Sequence, residues 1–200
     1  MATATSSRLL LATAALAAAL AFAGCGGAAR PHSDHRPADN PRPFAWLQPA
    51  AAPADWKIAR LPSRNAQLAY PPRWRAIQTD PGTFSAALLG PQGRIRGYLN
   101  ATPQSGVETL SNWATFRPAH NSEEGDRNVV RDASAVRLRF RSGTGSCVID
   151  HYATTSARYK EIACIVRKTR ATTVVVAAAR PADWTRLAPQ LQRAMSSFSS

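Results

Sequence analysis

The chain has 200 residues, of which 25 are Lys or Arg and 12 are Asp or Glu, and its formal net charge is +13. No apolar run reaches the roughly 20 residues that a membrane-crossing helix needs, which excludes an integral membrane domain. Net charge speaks about partners and not about fold; but the basic residues are 22 Arg and 3 Lys among many Ala and Pro, a bias that GC-heavy coding produces without selection for binding, so the bland reading of the charge is preferred.

The N-terminus carries one cation at Arg8, then an apolar run of 16 residues from Leu9 to Gly24. That is the pattern of a secretory signal, expected over residues 1–24. Phe22-Ala23-Gly24-Cys25 resembles the lipobox of bacterial lipoproteins, with Phe22 where Leu is usual. The resemblance implies that Cys25 is diacylated on sulfur and becomes the mature N-terminus; the alternative is an ordinary signal peptidase site in a secreted protein. Two or more acyl chains anchor stably where one does not, since each buried CH₂ contributes about 0.8 kcal/mol. Removal of residues 1–24 leaves 176, enough for one compact domain and a tail.

Residues 25–55 read as a tether, with Pro31, Pro37, Pro41, Pro43, Pro49 and Pro53 and little periodicity. Phe44-Ala45-Trp46-Leu47 is too apolar for a free linker and is expected to pack on the domain, an exposed docking patch being the alternative. The domain is expected over 56–200. Gln67–Trp74 reads as a strand entering a Pro-Pro turn, followed by a second strand over Arg75–Asp80. Thr83–Gly90 and Arg94–Ala101 read as a hairpin about Pro91-Gln92-Gly93. A helix is expected over Glu108–Phe116, with Leu110, Trp113, Ala114 and Phe116 on one side and Pro118 ending it.

After a polar loop over 121–127, Val129-Val130 leads into a strand at Ser134–Arg141, followed by strands at Cys147–Thr154, Tyr159–Val166 and Thr172–Ala179. Ser142–Ser146 reads as a hairpin turn, since it lacks the Lys and following helix of a phosphate-binding loop. A last helix starts at Pro181, favoured in a first turn, with Asp183 near the positive end of the dipole. Trp184, Leu187, Leu191, Ala194, Met195 and Phe198 recur on one face and must be buried against a sheet. The expected fold is therefore α+β, a mostly antiparallel sheet with helices packed on it.

Cys147, Asp150, His151, Glu161 and Cys164 fall within eighteen positions and raise the question of a metal site. A two-residue turn at Thr155-Ser156 puts Cys147 opposite Cys164, Asp150 opposite Glu161 and Tyr152 opposite Tyr159. Opposed residues of a non-hydrogen-bonded pair have Cα atoms about 4.5 Å apart, close enough for a disulfide. Alternation along each strand sends Cys147, His151 and Cys164 to one face and Asp150 and Glu161 to the other, so the five groups cannot converge on a metal. A redox-active pair is disfavoured, because such cysteines usually sit close in sequence at a helix N-terminus. With Cys25 lipidated, the two remaining thiols of an exported protein pair without remainder.

If the preceding turn places Arg141 opposite Ser146, then Leu138 and Phe140 lie beside Ile149 and Cys147, and Arg137 beside Asp150. The polar face then carries Arg137, Arg139, Asp150, Tyr152, Tyr159 and Glu161. Cross-strand ion pairs in solvent are the commoner explanation of such a row, and this face is the candidate partner surface. No catalytic residue, metal or cofactor is expected: Gly-x-Ser-x-Gly is absent, and nothing marks a desolvated cleft that would split the two carboxylates into acid and base.

From about Ala66 onward the chain resembles PsbP-like domains, in Tyr70-Pro71-Pro72-Arg73-Trp74, in a mid-chain helix carrying Leu110–Phe116 (LSNWATF), and in a closing helix that ends in Ser196-Ser197-Phe198. The resemblance implies a three-layer α/β/α sandwich with a central mostly antiparallel sheet. The fold is shared by an extrinsic photosystem II subunit, a Ran-binding nuclear-import factor and bacterial surface lipoproteins, so it implies binding or assembly and not catalysis. The expected function is that of a non-enzymatic, lipid-anchored module on the outer face of the cell membrane, taking an envelope protein as partner. The alternative is a polyanion binder using its charge on teichoic acid, anionic lipid or nucleic acid without sequence specificity; no specific nucleic-acid motif is present.

Overall fold

The computed structural model describes residues 40–169 and 171–200. The expected signal peptide, the lipidation site Cys25 and the tether up to residue 39 lie outside the described residues. Nine strands and two α-helices follow: β1 (Lys57–Arg60), β2 (Gln67–Tyr70), β3 (Arg75–Ile77), β4 (Phe84–Leu89), β5 (Ile95–Pro103), α1 (Trp113–Glu123), β6 (Arg127–Phe140), β7 (Gly143–Ala153), β8 (Arg158–Lys168), β9 (Ala171–Ala179) and α2 (Pro181–Ser197). β1 and β2 form a separate antiparallel pair, and the other seven make one antiparallel sheet in the order β3-β4-β5-β9-β8-β7-β6.

The pleat divides the core in two. Cys147, Ile162, Cys164, Val175 and Ala177 point to one face, where Leu187, Leu191, Ala194 and Met195 of α2 cover them. Their neighbours Val148, Ala163, Ile165, Val174 and Val176 point to the other face and pack on Trp113 of α1, with Leu110, Ala114 and Phe116 around it. Successive residues of a strand alternate sides, so apolar residues in unbroken runs such as Val174–Ala179 are what a sheet covered on both faces requires. The result is the three-layer α/β/α sandwich with a central antiparallel sheet.

Residues 40–55 are packed on the domain through Phe44 and Leu47, where a tether was expected. Phe44 and Leu47 are fully buried among the α2-face residues, which removes two large apolar side chains from water. The segment is tied to α2 by Ala50 N–H to the Ser196 carbonyl at 3.1 Å and by Arg193 Nη2 to the Ala51 carbonyl at 2.8 Å.

Helix α1 corrects the expected Glu108–Phe116. It begins at Trp113 and runs to Glu123, with Pro118 inside it. Thr109 and Asn112 exchange backbone-to-side-chain hydrogen bonds at 2.6 and 3.2 Å, which fixes the turn before the helix. Glu108 accepts from the Ser105 N–H instead of starting a helical turn. Pro118 has no N–H for the Ala114 carbonyl four residues back, and Arg131 Nη1 of β6 donates to that oxygen in its place. A guanidinium from the sheet thus substitutes for the missing helical bond, and the helix continues.

Strand β6 corrects the expected register. Its hairpin with β7 turns at Arg141-Ser142, so Phe140 pairs with Gly143 and Leu138 with Gly145. A Cβ on Gly145 would stand 2.7 Å from the Phe140 ring, so only glycine leaves that ring its place. Three register shifts then interrupt the ladder, at Arg127/Val130, Arg131/Ala133 and Ala135/Leu138. Ala135 lies beside Cys147 and Arg131 beside Asp150, where Phe140 and Arg137 were expected. Arg137 sits in the last bulge in left-handed backbone, φ 58°. Leu138 and Phe140 still reach the α2-face core.

Candidate functional site

The β7–β8 ladder pairs Cys147 with Cys164, Asp150 with Glu161 and Tyr152 with Tyr159, as expected. The two cysteines form a disulfide with Cα atoms 4.1 Å apart, buried beneath α2, so neither sulfur is free to bind metal.

Asp150 and Glu161 face α1 and not solvent; they are 0% and 1% exposed. Arg117 of α1 reaches down to Glu161 in a bidentate pair, Nε to Oε1 at 2.8 Å and Nη2 to Oε2 at 3.0 Å, and the Tyr152 hydroxyl donates to Oε2 at 3.0 Å. Burial alone would lower the Arg117 pKa, but the Glu161 charge and hydrogen bonds outweigh it and hold the guanidinium firmly charged. Burial, and then the Glu161 charge, push the Tyr152 hydroxyl up. Neither Asp150 oxygen has a hydrogen-bond partner, since the one guanidinium fork is taken by Glu161. Burial first and Glu161 second push its carboxyl up to about 8, against the opposing pull of Arg117. Asp150 is therefore a neutral acid at pH 7. This cluster fastens α1 to the sheet, beneath which it is sealed.

The expected row therefore splits into three parts. Asp150 and Glu161 are buried. Tyr152 and Tyr159 sit at one end of the ribbon with ring centres 6.0 Å apart. Arg137 and Arg139 are exposed at the opposite end; Arg139 pairs with Thr144, eight residues along β7 from Tyr152, or roughly 26 Å at 3.3 Å per residue. They share no surface with the tyrosines.

An open groove lies at the tyrosine end. Its first cavity, of about 580 Å³, is lined by His151–Ala153 of β7, Arg158–Lys160 of β8, Asn128 and Asp132 of β6, and Pro181 at the start of α2. An adjoining cavity of about 550 Å³ shares Asn128, Ala153 and Arg158 and extends to Arg127. Asp132 organises the first. Its Oδ1 stands 3.0 Å from His151 Nδ1 and its Oδ2 3.2 Å from Lys160 Nζ. Lys160 also lies 5.5 Å above the Trp184 ring. Asp132 faces this way because the Arg131/Ala133 bulge turns it out of alternation, and Asn128 lies in the bulge between Arg127 and Val130, with φ 55°. A smaller groove of about 330 Å³ at the far side of α2 is lined by Trp56, Arg73, Trp74, Arg96 and Gln190, where Arg96 and Arg186 both bind Asp183.

Sequence reasoning missed Arg117, Asn128 and Asp132. Arg117 was hidden by ending the helix at Pro118. The break in alternation across Arg127–Ala133 was the signal for the bulges that place the other two.

The fold defines an antiparallel sheet sandwiched between two helices, and its likeness is to PsbP. The solution structure of cyanobacterial PsbP (CyanoP) from Synechocystis sp. PCC 6803 superposes with a TM-score of 0.53 at 14% identity, over 74% of this chain and 93% of that one. LpqN of Mycobacterium tuberculosis, a protein involved in cell envelope biogenesis, superposes with a TM-score of 0.42 at 11% identity, over 72% of this chain and 89% of that one. At such identities the likeness is one of fold, and the chain has a PsbP-like fold. No protein-family model matches the chain, and no curated protein matches it. Among the described residues no helix is long and apolar enough to cross a membrane.

Proposed function

We propose that the chain is a non-enzymatic binding module of the cell envelope, anchored through lipid on Cys25, which takes a protein partner in the groove beside His151 and Lys160. The observation that carries this reading is the groove itself: a recess walled by paired strands, mostly apolar in surface, in which Asp132 holds both His151 and Lys160. Such preorganised polar groups fix a partner's orientation at low entropic cost. The buried acid pair, the other candidate for chemistry, lies under α1 with its guanidinium in place and serves the fold. A photo-crosslinking residue at the exposed Asn128, introduced in the native host, should capture one envelope protein, and the same residue at Arg73 should not. Cys25→Ser should move the protein from the membrane fraction to the medium. Equal capture from both positions, or membrane retention of Cys25→Ser, would remove the corresponding half of the proposal.

A second reading, polyanion binding, is favoured by a different feature. Residues 133–149 and 162–182 contain no acidic residue, and Arg137, Arg139, Arg141, Arg167 and Lys168 are exposed within them. Arg139 and Arg167 flank Thr144 on the α1 side, two strand spacings apart. Position separates the two readings: Arg139→Gln with Arg167→Gln should weaken polyanion binding and leave capture from Asn128 in the groove unchanged.

A further inference from the structure

The two adjoining cavities form one elongated recess whose charge is unbalanced. Arg127, Arg158 and Lys160 line it, and Asp132 is the one carboxylate among the described residues that do so. That carboxylate is occupied, one oxygen by His151 and the other by Lys160. Arg158 is exposed, and neither it nor Arg127 has an ion-pair partner among the described residues. The recess thus presents two guanidinium groups without a carboxylate partner among the described residues, and a lysine with hydrogen-bonding capacity left over.

Spacing narrows the class of ligand. Arg158 and Lys160 are two residues apart on β8 and lie on the same side of it, about 6.6 Å apart along the strand. An extended peptide carries its own side chains on one side at that same interval. Arg127 and Arg158 flank Ala153, one on each neighbouring strand, so the third cation stands across the ribbon, about 9–10 Å from Arg158 at the backbone. Resting on the reading of this groove as the partner site, we infer that it receives an extended acidic peptide segment with carboxylates at alternate positions, paired with Arg158 and Lys160 and approached by Arg127. Arg supplies the planar fork that suits a carboxylate, and Lys160, held by Asp132 and Trp184, is already placed.

The test titrates the mature exported chain with acetyl-Glu-Ala-Glu-Ala-Glu-amide, acetyl-Gln-Ala-Gln-Ala-Gln-amide and acetyl-Glu-Glu-Glu-Ala-Ala-amide by calorimetry at fixed ionic strength. The alternating acidic peptide should bind at least about tenfold more tightly than its Gln counterpart, and more tightly than the contiguous one. Arg158→Gln, at an exposed position that the fold does not use, should weaken it about tenfold, while Arg139→Gln at the far end should change it less than about twofold. Equal binding of the acidic and Gln peptides, equal binding of the alternating and contiguous acids, or an equal loss in Arg139→Gln would each overturn the inference. If the peptides fail while the Asn128 crosslink still captures its partner, the inference falls and the groove survives as a partner site. If both fail, the reading of the groove falls as well.

Discussion

Replacing Asp150 with Asn should stabilise the protein at neutral pH, although the change touches a buried residue. In the folded state Asp150 keeps its proton until about pH 8, because it is sealed under α1 beside Glu161 with no partner of its own. In the unfolded chain an aspartate releases that proton at about 3.9. The folded state therefore binds the extra proton between these values, so Asp150's contribution to stability is complete below about pH 4 and declines as pH rises towards 8. At pH 7 the difference of about 3 pH units corresponds to about 4 kcal/mol, at 1.36 kcal/mol per unit. An amide has nearly the shape of the protonated acid and needs no proton, so Asp150→Asn should recover most of that sum at pH 7 and almost none at pH 4. For a domain of this size 4 kcal/mol corresponds to a rise in Tm of roughly 10 °C. Urea denaturation of both proteins at pH 4, 5.5 and 7 measures the difference, and groups that titrate alike in both cancel. A difference independent of pH, or a variant less stable than the parent at pH 7, would refute the reasoning.

Breaking the buried pair from its other side should have the opposite sign: Arg117→Met leaves Glu161 charged and uncompensated under the helix and should cost about 3–5 kcal/mol by denaturation, with Glu161→Gln added in the same chain restoring part of it. Reduction of Cys147–Cys164, whose ends are 17 positions apart, should cost about 3 kcal/mol on the chain-entropy model, and an unchanged denaturation midpoint in reductant would contradict a stabilising role. If the acid-free half of the sheet binds phosphate polymer through about four cations, affinity for polyphosphate should fall roughly a hundredfold between 50 and 200 mM salt, and Arg139→Gln with Arg167→Gln should flatten that slope.

The ribbon from Cys147 to Cys164 could be read in the sequence residue by residue, because a hairpin pairs residues that are close in the chain and a two-residue turn leaves one register. The α2 stripe was legible for a similar reason: five of its six expected apolar positions, Leu187, Leu191, Ala194, Met195 and Phe198, are buried. β6 was not. The turn at Arg141-Ser142 sets Phe140 opposite Gly143 and not Cys147, a slip of four residues, and the two bulges before Asp150 add one residue each that periodicity cannot count, so Arg131 stands where a regular ladder put Arg137. The opposite faces of Asp150 and Cys147 were legible, but what covers each face was not: a row of charges facing a helix reads the same as a row facing water. Pro118 misled for a different reason. The rule that proline ends a helix assumes that the freed carbonyl has no other donor, and Arg131, thirteen residues further on, supplies one.

The three shifts in β6 also bear on how copies of the protein meet. A fourteen-residue outer strand would ordinarily offer neighbouring molecules a continuous row of amides on which to stack. Here the spacing of those amides changes at each irregularity, and Arg127, Arg131, Arg137 and Arg139 are spread along the strand. Copies of the chain therefore meet no straight margin along β6 on which to zip together, and the sheet stops there at seven strands.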